Sequence, residues 1–274
     1  MVKDFLLSQL NEDGGFKDRS GRSDLYYTVF GLDGLLALQA ALPLERVTSF
    51  LNGFDGGAGC DFVHACCLAR CWAALTAQAP VTLPGQTRGA ILRRVEQFRS
   101  ADGGYNPVAG SGAGTAYGGF LALGAYQDLQ GTLPNPLELV RSLKFLETPD
   151  GAWANERSVR IGSTNATAAA ITLLRHLSMP VAAPVGDWLL NRIHPQGGFL
   201  AMPSAPIPDL LSTATSLHAL AGLERDLGGA KEACLDFVDS LWTNEGAFHG
   251  HWGEDTLDCE YTYYGLLALG HLSL

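Results

Sequence analysis

Ala90-Ile91-Leu92-Arg93-Arg94-Val95-Glu96-Gln97-Phe98-Arg99-Ser100-Ala101-Asp102-Gly103-Gly104-Tyr105 decides the fold, because its last four residues recur along the chain. The other copies are Asp13-Gly14-Gly15-Phe16, Asp55-Gly56-Gly57, Asp150-Gly151-Ala152-Trp153, Gln196-Gly197-Gly198-Phe199 and Glu245-Gly246-Ala247-Phe248. Successive third positions are 42, 47, 48, 46 and 49 residues apart. A period of that length means one supersecondary unit copied around or along an axis.

Each turn follows an amphipathic run: Val2–Leu10, Leu44–Leu51, Ala90–Phe98, Leu137–Leu146, Val185–Ile193 and Cys234–Trp242. Apolar residues such as Leu92, Val95 and Phe98 fall at helical spacing, and the glycines after them stop the helix. A second, more apolar helix is expected after each turn. These align on Thr28, Ala65, Thr115, Thr167, Thr213 and Thr262, with N-cap residue types four earlier at Asp24, Asp61, Ser111, Ser163, Asp209 and Asp258. An apolar helix rich in Gly and Ala must be covered on most sides, so it belongs on an inner ring with the amphipathic helix outside. The last repeat, Tyr261-Thr262-Tyr263-Tyr264-Gly265-Leu266-Leu267-Ala268-Leu269, is as apolar as the middle ones. An open solenoid needs polar capping repeats, so an all-α closed (α/α)6 toroid is expected, one domain over residues 1–274. No alternation predicts strands.

The 274 residues are 47% hydrophobic, enough for a large core. A net charge of −10 argues against nucleic acid and against an anionic membrane surface as partners. The chain contains neither a signal-like apolar run nor a membrane-span-length one, and its six cysteines do not read as a secreted disulfide framework. A soluble cytoplasmic protein is expected.

Gly14-Gly15-Phe16-Lys17-Asp18-Arg19-Ser20-Gly21-Arg22-Ser23-Asp24-Leu25-Tyr26-Tyr27-Thr28-Val29-Phe30-Gly31-Leu32 resembles the repeat of protein prenyltransferase β subunits. Cys60-Asp61-Phe62-Val63-His64-Ala65-Cys66 resembles the same repeat in its Asp-Phe-x-His-(Thr/Ala)-Cys form. As repeats, the resemblance covers essentially the whole chain. Squalene and other class II triterpene cyclases and complement-type thioester domains share this repeat, so it bears on fold more than on reaction. The cyclases' Asp-x-Asp-Asp acid is absent and most of them need a second barrel; the thioester Gly-Cys-Gly-Glu-Gln run is absent too.

The resemblance implies transfer of a prenyl group from an isoprenoid diphosphate to a protein thiol, with zinc holding the thiolate. It places the diphosphate on Lys17, Arg19 and Arg22, three cations just before Asp24. It places a metal on Asp24 and His64, with Tyr26 where the family has its cysteine ligand; Asp258 and Glu260, with Tyr27, form a second set. Tyrosine is a poor zinc ligand near neutral pH. The family's mid-chain His-Gly-x-x-Tyr contact is replaced by Ser111-Gly112-Ala113-Gly114-Thr115-Ala116-Tyr117. Tyr26, Tyr27, Phe30, Tyr117, Phe120, Tyr261, Tyr263 and Tyr264 are expected to line the barrel, and the Gly and Ala of repeats three and four to leave space in it. Family members act with a helical-repeat α subunit, which would be a separate partner here. Cys60, His64, Cys67 and Cys71 share one helical face but span about 16 Å, too far to converge on one ion, so the cysteines read as packing. No catalytic residue is assigned. A non-catalytic lipid- or protein-binding toroid is the alternative, and a terpenoid cyclase ranks behind both.

Overall fold

The computed structural model describes residues 1–78 and 83–273. Inner helices α2 (Leu25–Ala37), α4 (Phe62–Gln78), α6 (Ala116–Asp128), α8 (Thr164–His176), α10 (Leu210–Gly222) and α12 (Cys259–Leu272) pack each on the next, and α12 returns to α2, closing the ring. Outer helices α1 (Val2–Ser8), α3 (Leu44–Asn52), α5 (Gly85–Glu96), α7 (Pro136–Lys144), α9 (Pro184–Leu190) and α11 (Lys231–Ser240) sit outside them. Among the described residues no helix is long and apolar enough to cross a membrane.

The inner helices start where the cap residues place them, with one exception. Asp24, Ser163, Asp209 and Asp258 adopt extended backbone and accept N–H hydrogen bonds from the first turn, and Asp61 accepts from the N–H of His64. In the third repeat Thr115 is itself the cap, accepting from Gly118, while Ser111 lies half-buried in the preceding loop and donates to the Val108 carbonyl. The alignment on Thr115 was therefore four residues out: Tyr117, not Ala113, corresponds to Tyr26.

The aligned threonines lock the turn to the inner helix. The Thr28, Thr167 and Thr213 hydroxyls accept from the backbone N–H of Phe16, Trp153 and Phe199 at 2.9–3.1 Å. Thr28, Thr213 and Thr262 also donate to the carbonyl of their cap residue at 2.6–2.7 Å. All four are fully buried. The turn aromatics then seat against inner-helix glycines: a Cβ on Gly31 would collide with the Phe16 ring, and one on Gly265 with Phe248.

Short backbone pairings absent from the sequence reading close five of the six turns, the second forming a 3-10 turn over Asp55–Gly57 instead. Phe16–Lys17 (β1) pairs antiparallel with Ser23–Asp24 (β2), and single bridges join Leu10 to Phe16, Arg99 to Tyr105, Glu147 to Trp153, Ile193 to Phe199 and Trp242 to Phe248. Pairings of one or two residues carry no alternation, which is why no strand was legible.

Gly197 combines φ +87° with backbone contact, its Cα lying under the Ala233 carbonyl at the start of α11. Gly197→Ala is expected to cost about 2–4 kcal/mol, and Gly229→Ala, which faces open space, to stay within about 0.5 kcal/mol. Urea unfolding of the two variants checks the contrast.

Candidate functional site

The N-terminal ends of the inner helices share one face of the ring, the mouth, and the loops before them form its rim. Each loop leans on its neighbour. Asn155 caps Ala116 with its carbonyl and Tyr117 with its side chain; the Ala201 carbonyl accepts from Thr164, and the Gly250 carbonyl from Leu210. From repeat six to repeat one the tie is ionic: Arg19 Nε donates to Asp258 Oδ2 at 3.0 Å and Nη1 lies 3.5 Å from Glu254. From one to two it is His64, whose Nε2 meets Asp24 Oδ2 at 3.1 Å while Nδ1 sits 2.9 Å from Asp61. Among the described residues no hydrogen bond ties the loop of repeat three to the first turn of α4.

The sequence-assigned cations share a loop but do not converge. Lys17 Nζ donates to the Ser8 carbonyl. Arg22 is exposed beside Asp18 and Ser20, and Arg19 is held by Asp258 and Glu254, 5.4 Å from the Tyr261 ring centroid. Asp24 and His64 do come together, as a carboxylate–imidazolium–carboxylate group with Asp61. The hydrogen bond to Asp24 is the main cause that pushes the His64 pKa up to about 9; partial burial opposes it and Asp61 adds to it. The same bond holds Asp24 below its usual range. A pocket of about 500 Å³ opens beside this group, lined by Phe54, Asp55, Cys60, Asp61 and His64.

These donors do not fit the zinc shell that the resemblance implies. Both His64 nitrogens are spent on carboxylates, the Tyr26 hydroxyl donates to Glu260 Oε1 at 2.6 Å, and Asp258 is committed to Arg19. Among the described residues no three His, Cys, Asp or Glu side chains are placed to share an ion. All six cysteines are buried free thiols; desolvation pushes Cys66, Cys67 and Cys71 up, away from the thiolate.

Inside the ring the aromatics divide. Tyr26 packs edge-on to Phe30 with centroids 4.9 Å apart, and Phe30 meets Tyr264 at 5.4 Å and Tyr263 at 5.7 Å. Tyr117, on the opposite side at α6, is 38% exposed, yet desolvation, then Cys67 and Glu260, raise its hydroxyl pKa. Exposure to water together with desolvation marks a ring lining a narrow interior. Tyr27 and Tyr261 instead turn toward Arg19, and Phe120 is half-buried outside the cluster. Glu260 sits among these rings, with burial pushing its carboxyl up and the Tyr26 hydrogen bond partly opposing it. Facing them, Asn165 accepts from Thr215. Of the small residues of repeats three and four, Ala166, Ala168 and Ala170 are buried, Ala169 is half-buried one turn after Asn165, and Gly112–Gly114 belong to the rim loop.

At the other end Arg70 bridges Asp33 at 3.0 Å and Asp128 at 2.9 Å, tying α4 to α2 and α6 beside a pocket of about 460 Å³. The sequence reading missed this group. Its signal was present: Asp33 and Arg70 are lone charges inside otherwise apolar inner helices.

Six inner helices inside six outer ones, with an aromatic interior, define an α/α toroid. The chain belongs to the prenyltransferase alpha-alpha toroid domain family, whose model matches residues 1–53 and 140–273. The unmatched stretch holds repeats two and three, whose turn and cap depart from the others, and it includes the Cys60–Cys66 segment. No curated protein matches the chain. Among solved structures, Candida albicans protein geranylgeranyltransferase-I complexed with GGPP is similar at TM-score 0.74 and 14% identity, over 98% of this chain and 90% of that one. The type II terpene cyclase MstE from Scytonema is similar at TM-score 0.66 and 15% identity, over 99% and 95%. A polysaccharide lyase is similar at 0.65 and 13%, over 98% and 96%. At these identities the likeness is one of fold. The matched Scytonema chain is itself close to this chain in length, since the alignment covers 99% of one and 95% of the other.

His64 carries a pH prediction. Its folded pKa, about 9, exceeds the ordinary imidazole value of 6.5, so its contribution to stability is complete below pH 6.5 and lost as pH rises through 9. Thermal melts between pH 6 and 10 are expected to show that decline in the wild type and a flatter profile in His64→Ala.

Proposed function

We propose that this toroid binds an isoprenoid diphosphate, with its hydrocarbon against Tyr26, Phe30, Tyr117 and Tyr264 and its diphosphate at the repeat-one loop that carries Lys17, Arg19 and Arg22. The observation that carries the reading is the ring cluster of Tyr26, Phe30 and Tyr264 on α2 and α12, with the solvent-reaching Tyr117 of α6 across the interior from it. Planar rings offer a polyprenyl chain large apolar contact, and their faces stabilise an allylic cation as the diphosphate leaves. The geranylgeranyltransferase-I neighbour, in complex with GGPP, supports the ligand class. Transfer to an acceptor thiol is the reaction this reading implies, with a separate helical-repeat subunit as the acceptor's carrier. Zinc activation of that thiol has no donor set here, so ligand binding is the part the geometry supports best. A diphosphate must compete with Asp258 and Glu254 for Arg19.

A second reading, cyclisation, is favoured by Glu260. A carboxylic acid with a raised pKa, oriented by Tyr26 and surrounded by ring faces, has the properties needed to protonate an alkene and shelter the resulting cation.

Titration with a fluorescent geranylgeranyl diphosphate analogue, with and without zinc, tests the first reading. Saturable binding weakened about a hundredfold or more by Arg19→Ala/Arg22→Ala is expected, since each of the two charge-assisted hydrogen bonds lost contributes roughly 1.5–3 kcal/mol. Absence of binding in both conditions overturns it. Conversion of a diphosphate-free polyprenyl arene to a cyclised product of unchanged mass, lost in Glu260→Gln, would establish the second.

A further inference from the structure

The rim is divided chemically. Between repeat six and repeat two it carries Glu254, Asp258, Glu260, Arg19, Asp24, Asp61 and His64, a charged arc tied by ion pairs. Across repeats three to five it presents large apolar side chains to solvent: Val108 is 68% exposed, Val159 48%, Ile161 61%, Met202 45% and Ile207 36%. The caps that Asn155 and Ala201 supply to the neighbouring inner helices hold these loops at the same end of the ring. Residues 106–114 and 200–208 contain no charged residue at all, in a chain of which 17% is charged.

The loop between them adds cations. Arg157 pairs with Asp102 and lies 4.5 Å from the Phe145 ring centroid. Arg160 is exposed between Val159 and Ile161, and among the described residues it makes no hydrogen bond or ion pair. An apolar–cation–apolar tip suits the headgroup boundary of a bilayer: the apolar side chains enter the acyl region while the guanidinium snorkels to phosphate. On the docking arc Glu156 is exposed, Asp102 pairs with Arg157 and Asp209 caps α10, so a net charge of −10 argues against electrostatic attraction to an anionic surface; Glu254, Asp258, Glu260, Asp24 and Asp61 lie on the other arc. Contact through repeats three to five alone keeps them away from lipid.

We propose that the rim of repeats three to five docks this protein onto the surface of a lipid bilayer without spanning it, with Val159, Ile161 and Met202 entering the interface and Arg160 meeting lipid phosphate. The proposal does not rest on isoprenoid binding, and its test uses no isoprenoid.

The full chain is sedimented with extruded vesicles of phosphatidylcholine alone, and of phosphatidylcholine with about one quarter phosphatidylglycerol. Binding to both is expected, mainly hydrophobic and little changed by salt. Val159→Asp/Ile161→Asp is expected to lower partitioning about tenfold or more, because two buried apolar side chains are exchanged for charges. Arg160→Glu is expected to spare binding to neutral vesicles within about twofold and to weaken binding to anionic ones. Met202→Asp, in a separate loop, provides the same test should the double variant melt early. Failure to sediment with either composition, or binding indifferent to these substitutions, overturns the proposal. So does a lipid-free dimer, seen by light scattering, that Val159→Asp/Ile161→Asp converts to monomer, since the patch would then be an interface between two copies.

Discussion

A ring built from a linear chain has one joint that covalent continuity does not supply, and here it lies between α12 and α2. Three kinds of contact make it. Arg19 reaches from the repeat-one loop to the cap of α12, Tyr26 donates to Glu260 in the first turn, and Phe30 meets Tyr263 and Tyr264 below. Outside, the sixth turn seats Gly246 against the Met1 backbone, as Gly14 seats against Arg46 and Gly197 against Ala233. The closing joint is therefore an ordinary inter-repeat joint with added charge. The aromatic cluster is part of that joint, so the residues read as a ligand surface also hold the ring closed.

This double use bears on the chemistry. Asp258 caps a helix and binds Arg19; Asp24 caps a helix and binds His64. Carboxylates with two structural commitments are poor metal donors, because releasing one would uncap a helix end and strand a cation in a half-buried site. Glu260 differs: its one recorded partner is the Tyr26 hydroxyl, which leaves its second oxygen available.

The fold was legible because its determinants are local and repeated. The glycine turns, the Asp and Ser caps and the Thr four residues later each act within a single repeat, so six copies average out irregularities. The third repeat shows the limit: Thr115 fills a cap position as readily as an inner-helix one, and sequence spacing does not separate the two when the preceding loop length varies. Residue partners across the ring were less legible. Asp24 and His64 were paired through a spacing rule, but the partners of Arg19 and Tyr26 lie 239 and 234 residues away, at the far end of the chain. The Arg70 group was missed because a charge in an apolar helix announces burial without naming its counterpart.

The rim ties also differ from joint to joint. Neighbours are strapped at the mouth by a carbonyl cap, an ion pair or an imidazolium, save where α4 meets α6. At that joint the tie lies at the opposite end, where Arg70 grips Asp128. The mouth side of that joint is held one layer out, by Arg94 of α5 donating to the Cys60 carbonyl at 2.7 Å and by Phe62 packing on Phe98 and Tyr105, and the roughly 500 Å³ pocket opens beside it. The belt is thus buckled at this one link from its outer layer, in the stretch of chain that the family model leaves unmatched.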